Sequence, residues 1–236
     1  MDTIQWMGFE WILRETWGQI HPNKPLFWYD PSAVNIDSQG FLHLQTHHNP
    51  KTFTINGKVI TSPIGAGLVC CLHPFHFGSY KIVAKFPAGR YLFPAIWLYD
   101  LNVWPPEIDI VEGYSNCLGN YLNFNPFRML SWLNVWSAFH YRDANGTHIK
   151  VGNRPNSIGL RDPSWKFMTY EMNWSSNKIE LFVDGKKSRE ISGGVMQHFQ
   201  QPMRFIMNNG HRSNKPVIEK QNTDFVIKWF SYQPEN

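Results

Sequence analysis

Three carboxylates fall within six residues in the segment EIDIVE, which contains Glu107, Asp109 and Glu112. The residues between them are Ile and Val, which favour a buried β-strand. Side chains alternate between the two faces of a strand, so Glu107 and Asp109 point the same way. Glu112 has the opposite parity and joins them only if a β-bulge near residues 110–112 absorbs one residue. The spacing therefore predicts a bulged strand with three carboxylates on one face.

Carboxylates packed this closely change one another's titration. Like charges raise at least one pKa, and a raised carboxyl can donate a proton near neutral pH while its neighbour stays ionised. Glycoside hydrolysis requires this division of labour. A solvated face of an antiparallel sheet would also carry acidic residues. However, Trp97 and Trp104 bracket a Pro-rich turn before the strand, and indole rings suit stacking against sugars, which favours a catalytic site.

The elements around this segment have the pattern of an all-β fold. Turn signals recur about every ten residues, and no long stretch has helical periodicity; residues 11–19 fit either a short helix or a loop. Short periodic turns and strands are typical of an antiparallel β-sandwich. The segments with strand character are 40–46, 79–86, 167–174, 178–185, 203–209 and 224–233.

The composition is consistent with a single domain over residues 1–236 and excludes some partners. Aromatic residues make up 16% of the chain, and the surplus of Trp, 11 in all, favours a stacking cleft. The net charge is +4 without a basic run, so we expect no nucleic-acid partner. No apolar run reaches transmembrane length, so we expect no membrane partner. No amphipathic interface stands out, and we expect a monomer.

The cysteines and histidines do not predict a metal site. Cys70, Cys71 and Cys117 are odd in number, which argues against a disulfide framework. We interpret them as small buried hydrophobic residues, although one disulfide from Cys117 to either neighbour stays open. Two close His pairs lack a Cys or carboxylate at ligand spacing, so we predict no metal ligands.

The acidic segment and its surroundings resemble glycoside hydrolase family 16, which includes laminarinases, lichenases, agarases, porphyranases and κ-carrageenases. Glu107, Asp109 and Glu112 match the family's ExDxxE signature. The resemblance covers nearly the whole chain. It extends to the segments FPAIWL (93–98), FGSYKIVAKFPAG (77–89), FHYRDANGTH (139–148), FMTYEMNWSSNKIELFVDG (167–185) and DFVIKWFSYQ (224–233).

The resemblance implies a β-jelly roll of two curved antiparallel sheets with a concave substrate cleft. It also implies a retaining mechanism in which Glu107 is the nucleophile and Glu112 the general acid/base. Asp109 between them would hydrogen-bond the nucleophile and tune the shared protons. The ExDxxE spacing makes lichenase and xyloglucan transferase activities, which go with a shorter ExDxE motif, less expected.

Several other residues are candidates for contact with a polysaccharide. Trp104 is the best candidate for a sugar platform beside the scissile bond, and Trp97 fits either core or cleft. Trp136 and His140 are expected on the neighbouring strand. In the segment FIMNNGHR, one of the two asparagines is a candidate hydrogen-bond donor to a sugar hydroxyl, and we select Asn209.

The resemblance also sets expectations for cofactors and location. Catalysis is expected to need no cofactor. A structural calcium on the convex side is expected from the family, with Asp224 as a candidate ligand. The family is typically secreted or bound to the cell surface, although the start MDTIQWMGFEWILRETW does not have the pattern of a signal peptide.

The sequence therefore predicts a retaining, endo-acting hydrolase of a β-linked polysaccharide, with β-1,3-glucan as the first choice. A marine galactan (agarose, porphyran or carrageenan) is the second, because Pro105-Pro106 before the nucleophile and the segment NNGHR depart from laminarinases. The alternative of another class is a non-catalytic glucan-binding lectin. Such lectins usually lack one or both glutamates, whereas Glu107 and Glu112 are present. Transglycosylation would use the same residues.

Overall fold

The structure is a computed structural model that describes residues 2–21, 26–87, 91–113, 134–152, 156–157, 163–212 and 223–235. Within these residues the chain is almost entirely β. Two 3₁₀ segments, Pro31–Ala33 and Gly193–His198, interrupt the strands. The strands are β1 (Thr3–Trp6), β2 (Phe9–Ile12), β3 (Trp28–Tyr29), β4 (Val34–Ile36), β5 (Leu42–Ile55), β6 (Lys58–Ala66), β7 (Leu68–Cys71), β8 (Gly78–Lys85), β9 (Leu92–Asp100), β10 (Glu107–Glu112), β11 (Asn134–Arg142), β12 (His148–Val151), β13 (Asn156–Ser157), β14 (Met168–Trp174), β15 (Lys178–Val183), β16 (Lys186–Ser192), β17 (Met203–His211) and β18 (Asp224–Pro234).

The strands form two sheets. The first has the order β1-β2-β7-β17-β9-β10-β11-β12, with β13 beside β11. The second has the order β16-β15-β14-β8-β18-β5-β6-β3, with β4 beside β5. Described pairs are antiparallel except for the short parallel pair of β3 with β6. This arrangement confirms the predicted β-jelly roll. No helix in the described ranges is long and apolar enough to cross a membrane.

An aromatic core fills the space between the sheets. Trp11 and Phe205 of the first sheet meet Phe230 of the second, with ring centroids 5.5 Å (Trp11) and 4.6 Å (Phe205) from that of Phe230. Phe75 packs on the same group, 5.7 Å from Phe230. All four rings are buried. Burial of such rings supplies much of the stabilisation of a fold this rich in aromatic residues.

The alternation along β9 and β10 separates the core from the opposite face of the first sheet. Ile96 and Leu98 lie in the core, whereas Trp97 and Tyr99 point away from it. We call the side of the first sheet that faces away from the core the site face. It carries Glu107, which is the cross-strand neighbour of Tyr99.

The cysteine prediction is confirmed for the two residues that are described. Cys70 and Cys71 are buried and free of any disulfide. Because they are adjacent on β7, Cys71 lies in the core while Cys70 lies on the site face. Cys117 lies outside the described residues.

Residues 13–21 and 26–29, on either side of a stretch outside the described residues, contact part of the site face. Residues 11–19 form the end of β2 followed by turns, so the loop interpretation is correct and the helix is wrong. Tyr29 packs in a second apolar cluster with Leu68, Cys70 and Ile206. The side chains of Leu68, Cys70 and Ile206 on the site face are therefore covered.

Candidate active site

The predicted bulge is present in β10. Asp109 pairs with Trp97, but the next paired residues on β10 and β9 are Val111 and Ile96, so the register shifts by one residue. The same irregularity appears against β11, between Asp109 and Glu112. The bulge leaves Ile110 and Val111 in the core. It thereby returns Glu112 to the face that carries Glu107 and Asp109.

Each carboxylate lies between neighbours on β9 and β11. Glu107 is flanked by Tyr99 and His140. Glu112 is flanked by Ala95 and Trp136, which places Trp136 beside the second glutamate. Cross-strand neighbours in a sheet lie about 5 Å apart. The register therefore places the predicted residues Trp136 and His140 in one row with the carboxylates.

Two aromatic residues contact Glu107. The indole Nε1 of Trp104 donates a hydrogen bond of 2.6 Å to Glu107 Oε2. The imidazole Nε2 of His140 lies 3.7 Å from Glu107 Oε1 and 3.2 Å from Asp109 Oδ2. The carboxyl groups of Glu107 and Asp109 also share a hydrogen bond. Glu107 is therefore held from both sides, in the fixed orientation that the predicted role of nucleophile would require.

His140 belongs to a short imidazole chain. Its Nδ1 lies 2.8 Å from Nε2 of His148, and the two rings stack at 5.0 Å. An imidazole nitrogen that faces two carboxylates is best placed as a donor, which makes Nδ1 the acceptor of the His148 hydrogen bond. Burial lowers the pKa of His140, which favours this neutral form. His148 lies on β12, and its role was not found from the sequence.

A lysine contacts Glu112. Lys150 Nζ lies 3.8 Å from Glu112 Oε2, and Lys150 is the cross-strand neighbour of His140. The Lys150 side chain is partly exposed, so solvent screens the ion pair and its contribution to stability is small. Lys150 was also not identified from the sequence. The two-residue spacing of His148 and Lys150 puts them on one face of a strand. This spacing indicates site residues only after the pairing of β12 with β11 is known.

Burial dominates the titration of the carboxyl groups. It raises the pKa of Glu107 to about 8, together with the charge of Asp109, and against the opposing effects of His140 and the Trp104 hydrogen bond. Burial and then the charge of Glu112 hold the pKa of Asp109 well above its usual value. Protons are therefore retained in this cluster at neutral pH, as the sequence predicted for adjacent carboxylates.

The two asparagines of β17 lie on opposite faces of the sheet, and Trp97 shares the site face with Asn208. Trp97 is partly buried on the site face, and its Nε1 donates a 2.8 Å hydrogen bond to Asn208 Oδ1. Asn209 points between the sheets and is fully buried, and its Nδ2 donates to the carbonyls of Leu44 and Thr223. The prediction that Asn209 contacts substrate is therefore wrong, and Asn208 is the asparagine on the site face.

Two groups of side chains bear on metal binding. Ligand atoms of Glu107, Asp109 and His140 lie within 4.8 Å of one another, close enough for one cation. An ion there would occupy the oxygens that the nucleophile needs, and catalysis without a cofactor stays the prediction. Asp224 Oδ2 lies 2.7 Å from Nδ1 of His43, a nitrogen partner that does not suit calcium's preference for oxygen ligands. The structural calcium also stays a prediction.

A fourth carboxyl group lies under the site. Glu15 is fully buried, and Tyr99 donates its hydroxyl hydrogen to Glu15 Oε2 at 3.3 Å. Burial raises the pKa of Glu15 to about 8, and the nearby charge of Glu107 contributes to the shift. Glu15 was not identified from the sequence, because its position depends on how the turns after β2 lie against Tyr99 of β9.

Replacing Glu15 by glutamine is expected to make stability less sensitive to pH. The raised pKa means that Glu15 adds stability below pH 4.5, its ordinary value, and loses it as pH rises through about 8. The glutamine variant lacks this loss, so its free energy of unfolding relative to the parent rises by roughly 1 kcal/mol per pH unit across that window. Urea unfolding at pH 5, 6, 7 and 8 measures this. Glu10→Gln, at an exposed position of β2, is the control, and parallel curves for Glu15→Gln and parent would contradict the prediction.

Comparison with known proteins identifies the family. The sequence profile described as glycosyl hydrolases family 16 matches residues 45–230, so the chain belongs to that family. A beta-glucanase from Rhodothermus marinus is 30% identical over 149 residues, which are 56% of this chain and 46% of that protein. A beta-1,3-glucan-binding protein from Penaeus monodon is 29% identical over 131 residues, which are 51% of this chain and 33% of that protein. The chain thus spans less than half the length of either relative.

A solved structure supports the fold. Porphyranase B from Zobellia galactanivorans superposes with a TM-score of 0.71, and the match covers 94% of this chain and 84% of that one at 17% identity. At that identity the likeness shows the jelly roll alone. The family match and the fold together place the chain in glycosyl hydrolases family 16 with a β-jelly-roll architecture.

Proposed function

We propose that this protein is a retaining, endo-acting glycoside hydrolase that cleaves a β-linked polysaccharide, with β-1,3-glucan as the first substrate. The observation that carries the proposal is the bulge in β10, which brings Glu107, Asp109 and Glu112 onto one face beside Trp104. Membership of family 16 and the similarity to a beta-glucanase support the same reaction.

The reaction proceeds by two displacements. The carboxylate of Glu107 attacks the anomeric carbon while the glycosidic C–O bond breaks, and Glu112 gives its proton to the leaving oxygen. Glu112 then takes a proton from water, whose oxygen attacks the anomeric carbon and releases Glu107. Each displacement inverts the anomeric carbon, because the attacking oxygen enters opposite the departing one, so the two displacements together retain the configuration. Asp109 hydrogen-bonds the nucleophile, so it shares the proton that Glu107 gives up before it attacks and regains after it is released.

The substrate is tested by reducing-end release from a panel of laminarin, lichenan, agarose, porphyran and κ-carrageenan. The proposal expects cleavage of laminarin to oligosaccharides of mixed length, as endo attack requires. Cleavage of a galactan instead would support the second candidate, which Pro105-Pro106 and the segment NNGHR, as departures from laminarinases, favour. Proton NMR of the first product distinguishes retention from inversion of the anomeric carbon.

The candidate of another class is glucan binding without turnover. The similarity to a beta-1,3-glucan-binding protein favours it. The presence of Glu107, Asp109 and Glu112 in one row argues for an enzyme, since a binding protein of this fold usually lacks one or both glutamates. Binding of laminarin by the parent with no release of reducing ends would favour the binding protein.

The pH profile of hydrolysis is expected to depend on Trp104. The nucleophile must be ionised, so the acid limb of kcat/KM follows the loss of the Glu107 proton near pH 8. The Trp104 hydrogen bond favours the ionised form. Trp104→Phe keeps an aromatic ring but removes this donor, so the acid limb moves to higher pH. A profile of kcat/KM from pH 5 to 9 measures the shift, and an unchanged limb would contradict it.

A further inference from the structure

The part of the site face beyond Tyr99 is closed to a sugar chain. The side chains of Leu68, Cys70 and Ile206, which would form the floor there, are all fully buried beneath the chain that leads into β3. Phe27 lies over Gly210, where an added Cβ would come within 2.8 Å of the Phe27 ring. Residues 13–21 and 26–29 are called the covering segment. A glycan that extends past Glu107 in this direction must therefore pass over this covering segment instead of over the sheet.

One exposed indole lies on that covering segment next to the catalytic row. The ring of Trp17 is 5.9 Å from that of Tyr99, the cross-strand neighbour of Glu107. The Trp17 residue is 48% exposed, and Trp104 is 47% exposed. Trp104 lies towards β12, with its ring 5.0 Å from that of His148. The two half-exposed indoles therefore lie on opposite sides of β10, with Glu107 between them.

The turn that carries Trp17 is fixed to the site. Glu15 and Gly18 form a bridge, and the Gly18 amide donates to the Glu15 carbonyl at 3.1 Å. Gly18 has φ +136, a conformation that favours glycine. On the sheet side, the Tyr99 hydroxyl contacts Glu15 Oε2 at 3.3 Å and Thr16 Oγ1 at 3.0 Å. The two residues that precede Trp17 in the turn thus both contact Tyr99, and a ring held this way binds a ligand with little further loss of entropy.

From this geometry we propose that Trp17 is a substrate-binding residue, the platform for the sugar ring on the Tyr99 side of the scissile bond, opposite the platform formed by Trp104. The inference rests on the proposed function, because the ligand is the same glycan chain. A flat, half-exposed indole fits the apolar face of a pyranose, and its rigid ring adds contact area at low entropic cost. Trp17 would set how the polysaccharide is aligned across Glu107.

Binding by a catalytically inactive background tests the proposal. Isothermal titration calorimetry measures the Kd of laminarihexaose and of neoagarohexaose for three proteins. They are Glu107→Gln alone, Glu107→Gln with Trp17→Leu, and Glu107→Gln with Trp17→Phe. Leucine still covers Tyr99 but removes the aromatic face, so the Kd for the bound sugar is expected to rise about tenfold or more. Phenylalanine is expected to restore most of the affinity, a recovery that a purely structural role would not produce.

Trp229→Leu is the matched control. Trp229 is 49% exposed on β18 of the second sheet, away from the site face, so its replacement should leave the Kd unchanged. A Kd for Trp17→Leu within about twofold of the background would overturn the proposal, as would binding of neither sugar by Glu107→Gln. If the parent cleaves neither sugar but Trp17→Leu still weakens binding, the hydrolase proposal fails and the role of Trp17 stands.

Discussion

Glu107→Gln is expected to lower kcat on the cleaved polysaccharide by about 10⁴-fold or more, because the covalent intermediate cannot form without the carboxylate. Glutamine keeps the size of the side chain and can still accept the Trp104 hydrogen bond through its amide oxygen. The Kd for oligosaccharide should therefore change little. Reducing-end release and calorimetry on the same preparations separate turnover from binding.

Glu171→Gln is the matched control for this substitution. Glu171 lies on β14, on the outer face of the second sheet, and contacts Lys81 at 3.5 Å. Its replacement makes the same change of side chain without touching the site face, so turnover should equal that of the parent. Equal activity of Glu107→Gln and the parent on a cleaved substrate would exclude Glu107 as the nucleophile. A parent that only binds glucan, with binding indifferent to the change, would identify a lectin.

Glu112→Gln is expected to lower kcat/KM on the polysaccharide by about 10²- to 10⁴-fold, the usual contribution of a general acid. The loss should depend on the leaving group. A 2,4-dinitrophenyl oligosaccharide releases dinitrophenolate without protonation. Its kcat/KM reports the first displacement, so the value for Glu112→Gln should stay within about tenfold of the parent value. Stopped-flow measurement of dinitrophenolate release provides that rate.

The same pair of substrates distinguishes the two glutamates. Glu107→Gln should lose activity on both, because both need the nucleophile. Azide, which attacks without a base, should accelerate the second displacement in Glu112→Gln and yield a glycosyl azide. Equal losses of Glu112→Gln on the polysaccharide and the activated substrate would contradict the acid/base role. In that case the contact of Lys150 with Glu112 would be read as a structural ion contact.

The sequence by itself determined the strand that carries the candidate site. Parity along EIDIVE predicted the bulge, because an alternating strand cannot otherwise place Glu112 with Glu107 and Asp109. The same alternation, with turn signals between strands, predicted β8, β14, β15, β17, β18 and the start of β5, but not β6, β9, β11 or β16. These features depend on neighbouring residues and on local backbone geometry. They are therefore readable without knowledge of which strands pair.

The tertiary structure decided which other side chains share that face. Asn208 and Asn209 differ by one position, and only the register of β17 against β9 shows that Asn208 faces the site. A one-residue shift exchanges the two faces of a strand, so adjacent asparagines cannot be assigned locally. Lys150 comes into the site because β12 pairs with β11, and Trp17 because the turn after β2 packs against Tyr99 of β9. Such positions are set by long-range pairing and burial, which the order of residues along the chain does not express.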